Sequence, residues 1–171
     1  MSLALLELPR GGRIRAVGTI GADGLLRAVG IWAQPERARV VLEATVEQVA
    51  PAGALRLLGG DARLSTTARV TGPDGEKLAA DAIGAGSRLW LGGSYSESTG
   101  FVADEVRLCR PREFEIEKIA GPASHIDPER QRFQIAGFTI VTSERTLYGK
   151  SGSGDDGDES EWEEREGEEL T

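Results

Sequence analysis

The chain alternates apolar and polar residues over short stretches, which is the pattern of half-buried β-strands. The alternation is clearest in three stretches, "RIRAVGTI" at 13–20, "SRLWLGGSY" at 87–95 and "RFQIAGFTIVT" at 132–142. Turn-forming Gly, Pro, Asp and Ser residues separate the strand-like stretches at 21–24, 50–53, 72–75, 96–100 and 127–130. Many short strands at regular spacing predict an all-β chain folded as small barrels or sandwiches.

Two segments, 35–48 and 111–119, have a composition that is also compatible with short helices. Each of them leads directly into an alternating pattern. We therefore predict strands or connectors for both segments rather than helices.

The alternating stretches form a repeat with a front half and a back half. The back half reads apolar-x-apolar-x-Gly, then a polar turn ending in Gly, then a strand containing an Ala; it occurs at 11–31 and at 85–108. The front half reads aliphatic strand, turn, apolar-x-apolar-x-Gly, then an aliphatic strand with Thr; it occurs at 44–70 and at 116–146. The order along the chain is thus back, front, back, front.

This order predicts one complete repeat flanked by two incomplete ones. We predict a back half at 1–40, a complete repeat at 41–109, a front half at 110–150 and a separate tail at 151–171. Two arrangements remain open: the chain is a fragment of a longer repeat protein, or the terminal halves pair with each other to close a second barrel. Because unpaired strand edges promote association, pairing of the halves with another copy would give an oligomer.

The motifs "F.I.GF.I.T" at 133–142 and "G..L.L.G......GF.A..V" at 86–106 carry a family resemblance. The region from about residue 11 to 147 resembles the bacterial domain-of-unknown-function family 5666. The resemblance implies small OB-type β-barrels in tandem, in exported or envelope proteins. The start of the chain lacks a basic segment and a cleavage site, so we expect no export signal in the chain as given. If translation starts upstream, the resemblance implies a location in the periplasm or cell envelope.

Charge is distributed unevenly along the chain. Residues 151–171 carry ten Asp or Glu and one Arg, a net charge of −9, whereas residues 1–150 carry 18 acidic and 19 basic residues. The composition of 151–171 predicts a disordered acidic tail, in which Trp162 and Leu170 are the large apolar residues available to anchor it to a partner or to the body. No apolar run approaches the length of a membrane-spanning helix, so we expect no membrane span.

Motifs for cofactor or metal chemistry are incomplete. The stretch "YGKSGSG" from Tyr148 resembles a phosphate-binding loop, but Glu144 occupies the position where such a loop needs glycine. The acidic tail lacks the spaced carboxylates of a calcium loop. The single cysteine, Cys109, excludes an internal disulfide and a cysteine-based zinc site. We predict no cofactor and no metal.

Catalytic chemistry has equally little support. His125 is the sole histidine, and no pattern in the sequence brings a nucleophile and an orienting group together with it, so an exposed or satisfied strand histidine is predicted. The neighbours Asp104 and Glu105 should point to opposite faces of a strand. Glu113, Glu115 and Glu117 should share one solvated face, opposed by arginines of a neighbouring strand. We predict no catalytic residues and a protein that is not an enzyme.

The best candidates for a binding face are Arg88, Trp90, Tyr95 and Phe101. OB-type barrels bind single-stranded nucleic acid or sugars by stacking them on aromatic side chains near basic residues. If Leu89 and Leu91 face the core, Trp90 points outward, either to bind a ligand or to cover a neighbouring repeat. The predicted function is a non-catalytic binding or structural module that recognises an unknown protein or surface polymer on a strand face or in an inter-barrel groove. The alternatives are a single-strand nucleic-acid binder regulated by its acidic tail, which the near-neutral body does not favour, and an enzyme of unknown type.

Overall fold

The computed structural model describes residues 12–35, 37–110 and 116–150. The predictions for 1–11, for Glu113 and Glu115, and for the acidic tail at 151–171 fall outside the described residues. The described part contains twelve β-strands and one short 3-10 turn, Ala80–Ala82, without an α-helix. The strands are β1 (Arg13–Ile20), β2 (Leu26–Ala33), β3 (Val40–Thr45), β4 (Gln48–Val49), β5 (Leu55–Leu57), β6 (Gly60–Thr71), β7 (Arg88–Ser96), β8 (Gly100–Cys109), β9 (Glu117–Asp127), β10 (Arg132–Ile135), β11 (Phe138–Val141) and β12 (Leu147–Lys150). The predicted all-β class is confirmed, and 40–49 forms strands.

The first and last parts of the described chain close one five-stranded barrel, here called the terminal barrel. Its strands pair in a ring: β1 with β2, β2 with β11, β11 with β10, β10 with β9, and β9 with β1. The β2–β11 pair is parallel and the others are antiparallel. This is the strand order of an OB barrel in which β9 to β11 are the first three strands and β1 and β2 the last two. The two terminal halves therefore use each other's edges.

Strands β3 to β8 form a second OB-like barrel, here called the middle barrel. Strands β3 and β4 act as one bent first strand: β3 pairs with β7, and β4 pairs with β5. The ring continues from β5 to β6, then by a parallel pair to β8, and back to β7. Both barrels thus have the same order, as the repeated sequence pattern predicts.

The two barrels join along their first strands. Strand β3 pairs antiparallel with β9, with Leu42 opposite Ile119. A continuous sheet therefore runs across both barrels in the order β2, β1, β9, β3, β7, β8. On the inner side, Phe101 of the middle barrel meets Phe138 of the terminal barrel edge to face, with ring centroids 6.0 Å apart.

The apolar-x-apolar-x-Gly motif of the two back halves marks a β-bulge in each barrel. The strand register shifts between Val17 and Gly18 in β1, and between Gly92 and Gly93 in β7. A Cβ atom on Gly18 would lie 1.9 Å from the carbonyl oxygen of Arg27, and one on Gly93 would lie 2.0 Å from that of Val102. Glycine is needed at both places because the neighbouring backbone comes too close for any side chain.

Candidate functional site

The predicted binding face is not formed as an exposed surface. Arg88, Trp90 and Phe101 are buried, with exposed fractions of 6%, 4% and 2%, whereas Tyr95 is 37% exposed. Phe101 lies in the core shared by the barrels, since its position on β8 faces inward. Three of the four predicted binding residues are therefore buried in this structure, and only Tyr95 is accessible.

Trp90 covers the junction of the barrels instead. The predicted alternation is confirmed, because the neighbours of Trp90 on β7 face the core while Trp90 packs on the other side of the sheet against Val41 and Ala120. Ala120 belongs to the terminal barrel. The guanidinium of Arg107 lies 4.6 Å from the centre of the Trp90 ring. This arginine occupies the π-face that a stacked base or sugar would use.

Arg88 is a structural residue at the same junction. Its guanidinium donates hydrogen bonds to Glu117 of the terminal barrel at 2.8 Å and to Glu43 of the middle barrel at 3.2 Å, and also to the carbonyl oxygen of Ile116. Glu117 in turn accepts a hydrogen bond from the backbone N–H of Thr45 at 3.2 Å. Glu117 is 3% exposed, so its predicted solvated position is wrong. Its arginine partner lies on β7, two strands away across β3, and not on a neighbouring strand as predicted.

Asp104 and Glu105 also differ from the prediction. Asp104 is the extra residue of the bulge in β8, because Gly92 pairs with Glu105 and Gly93 pairs with Ala103. Both carboxylates consequently reach the guanidinium of Arg39, at 3.0 and 3.1 Å. The prediction that they point to opposite faces is wrong because the bulge interrupts the alternation. They form an ion-pair cluster on the surface.

A groove of about 560 Å³ lies where the two barrels meet. One wall comes from the middle barrel, with the start of β3 and Tyr95 near the end of β7; the other comes from β9 and from Ala136 in the β10–β11 turn of the terminal barrel. The lining residues are Ala38, Val40, Tyr95, Pro122, Ala123, Ser124, His125, Ile126 and Ala136. This volume lies in the range of small-ligand sites. The described part of the wall is mainly apolar and includes no carboxylate, lysine or arginine.

Three polar side chains enter this otherwise apolar lining. Tyr95 lies beside Gly137 of the β10–β11 turn, where an added Cβ would be 3.4 Å from the Tyr95 ring. The Nδ1 atom of His125 is 3.1 Å from the hydroxyl oxygen of Ser124. His125 is exposed, as predicted, and has a φ of 49°, in the left-handed region that costs energy for a side-chain-bearing residue. Tyr95 and His125 thus present a phenol and an imidazole at the opening of the groove.

Of the residues that line the groove, sequence reasoning predicted only Tyr95 as a binding residue, and it did not single out Ser124 or His125 for binding. The positive φ of His125 costs stability, so substitutions at this position test whether the residue is present for a reason other than stability. We expect His125→Gly to leave the free energy of unfolding unchanged or to raise it by up to about 1 kcal/mol, because glycine adopts positive φ without strain. Denaturant unfolding of His125→Gly and His125→Ala measures the effect; a glycine variant less stable than the alanine variant would contradict it.

Among the described residues, no group of three or more His, Cys, Asp or Glu side chains is placed to hold a metal ion. No helix in the described ranges is long and apolar enough to cross a membrane. The thiol of Cys109 lies 3.9 Å from a carboxylate oxygen of Glu43, at the edge of the Arg88 ion-pair cluster.

Comparisons of the chain with protein-family models, with curated proteins and with solved structures find no match. The groove between the barrels and the residues that line it are therefore the basis for assigning a function to this chain.

Proposed function

We propose that the protein is a non-catalytic binding module that holds an apolar or aromatic group of a protein or surface-polymer partner in the inter-barrel groove. The observation that carries this proposal is the groove itself, whose volume of about 560 Å³ and mainly apolar lining suit such a group. The hydroxyl and imidazole groups of Tyr95, Ser124 and His125 supply a few directional contacts that orient it. A setting in the bacterial envelope rests on the sequence resemblance alone.

A binding role is favoured over catalysis by the contacts of His125. Its one described hydrogen-bonding contact is to Ser124, the residue directly before it in the chain. A serine–histidine pair acts as a nucleophile when a third group orients the imidazole and when donors stabilise the developing oxyanion. The described lining supplies neither a carboxylate nor a basic side chain for these roles.

Single-stranded nucleic acid remains the second candidate, without an observation in its favour. OB barrels that bind single strands stack bases on aromatic side chains of the second and third strands. On those strands of the terminal barrel, β10 and β11, the aromatic residues are Phe133 and Phe138, and both are buried. On the second strand and first half of the third strand of the middle barrel, 55–64, no aromatic residue occurs.

The proposal is tested by nuclear magnetic resonance on the His125 imidazole. Because His125 is the only histidine, its ring signals report on the groove without assignment ambiguity. We expect N-acetyl-tryptophanamide to shift these signals saturably, and methyl β-glucoside and octathymidylate to leave them unchanged. Tyr95→Ala should weaken binding of the tryptophan probe by roughly tenfold, since an aromatic wall contributes on the order of 1 kcal/mol or more.

Val49→Ala provides the matched control. Val49 is 37% exposed, as Tyr95 is, and does not line the groove. Binding of the tryptophan probe should be the same in this variant and in the wild type. A probe that shifts no His125 signal, or that binds Tyr95→Ala as tightly as the wild type, would refute the groove as the binding site. A response to octathymidylate alone would favour the nucleic-acid function.

A further inference from the structure

Strand β12 ends close to the groove, and the acidic segment follows directly from it. Lys150 pairs with Ala33, Ala33 pairs with Ile14, and Ile14 pairs with Gly121, which precedes the lining residue Pro122. Three steps between neighbouring strands amount to about 14 Å. The acidic segment therefore starts a short distance around the terminal barrel from the groove.

The length of the following segment allows an aromatic side chain to reach the groove. Twelve residues lead from Lys150 to Trp162, and the first of them form the stretch "SGSG". Twelve extended residues span up to about 40 Å, well beyond the separation along the barrel surface. A covalent connection of this length gives a local concentration of about millimolar, enough for a weak contact to be populated.

Charge favours the same contact. Trp162 is flanked by Glu161, Glu163 and Glu164, and the segment 151–171 carries a net charge of −9. The described residues of the groove lining include no carboxylate that would repel it, and the exposed Arg37 directly precedes the lining residue Ala38 in the chain. Indole is also a group of the class that the proposed function assigns to the groove.

We propose that Trp162 and its acidic neighbours occupy the inter-barrel groove of the same chain as an internal competitor of the partner. This inference rests on the proposed function of the groove. It also defines the partner more closely, as an acidic chain segment with an exposed aromatic side chain. Partner binding then requires displacement of the internal segment, so the competitor sets a threshold for binding.

The test compares the His125 ring signals of the full-length protein with those of Trp162→Ala. We expect Trp162→Ala to shift these signals and to bind N-acetyl-tryptophanamide at least about twofold more tightly, because the groove is no longer partly occupied. Leu170→Ala, which removes the other large apolar side chain of the segment, should behave as the wild type. Raising the salt concentration to about 1 M should move the wild-type signals toward those of Trp162→Ala, since screening weakens the acidic contacts.

The outcomes separate this inference from the proposed function. If Trp162→Ala leaves the His125 signals and the probe affinity unchanged while the probe still binds, the internal competitor is refuted and the groove function stands. If neither the wild type nor Trp162→Ala binds the probe, the groove function itself fails. A signal difference that vanishes on dilution would show that the segment comes from a second copy, which would also overturn an internal contact.

Discussion

Replacing Arg88 by methionine is expected to lower the free energy of unfolding by about 3–5 kcal/mol, because it leaves two buried carboxylates without their shared guanidinium. Glu43 and Glu117 are 2% and 3% exposed, and they reach Arg88 from different barrels. Methionine retains the volume of the side chain and removes its charge. Equilibrium unfolding in urea, followed by circular dichroism, measures the loss.

The surface residue Arg56 is the control for this substitution. Its ion pairs to Glu47 and Asp61, at 4.0 and 3.7 Å, involve side chains that are 39% to 67% exposed. Arg56→Met should therefore change the free energy of unfolding by less than about 1 kcal/mol. Adding Glu43→Gln and Glu117→Gln to Arg88→Met should recover part of the stability by removing the buried charges. Arg88→Met within 1 kcal/mol of the wild type would show that the ion pair does not stabilise the junction.

Much of the fold could be predicted from local patterns. Alternation at 13–20, 87–95 and 132–142 matches β1, β7 and the β10–β11 pair, because a strand's side chains alternate between core and surface. The repeated order of halves also indicates two barrels of one design. It left open which partner completes the terminal halves, since a strand edge is satisfied equally by the same chain or by another.

The site was less predictable because it depends on contacts between barrels. The groove brings together residues near 38–40, 95, 122–126 and 136, and these meet through the β3–β9 pairing, for which no local pattern exists. Arg88 and Trp90 were expected at the surface because alternation places them opposite the core. The alternation of residues does not reveal that the outer face of β7, which carries Arg88 and Trp90, is itself buried at the junction of the barrels.

Substitution of the bulge glycines is the second change that we expect to lower the free energy of unfolding strongly. It tests whether the repeat motif has a structural role. Gly93→Ala places a Cβ 2.0 Å from the carbonyl oxygen of Val102 and 2.7 Å from the Cα of Ala103. Both contacts are to the backbone of a paired strand, which cannot move aside as a flexible side chain can. We expect a loss of about 3 kcal/mol or more in the free energy of unfolding, at the upper end of overpacking effects.

Gly18→Ala should cost a similar amount, because its Cβ would lie 1.9 Å from the carbonyl oxygen of Arg27 in the equivalent bulge. Gly84→Ala is the control, since nothing lies within 4 Å of its Cβ position, and its effect should stay within about 0.5 kcal/mol. Urea unfolding of Gly18→Ala, Gly93→Ala and Gly84→Ala measures these changes in the free energy of unfolding. A Gly93→Ala variant as stable as Gly84→Ala would mean that the motif does not mark a required bulge.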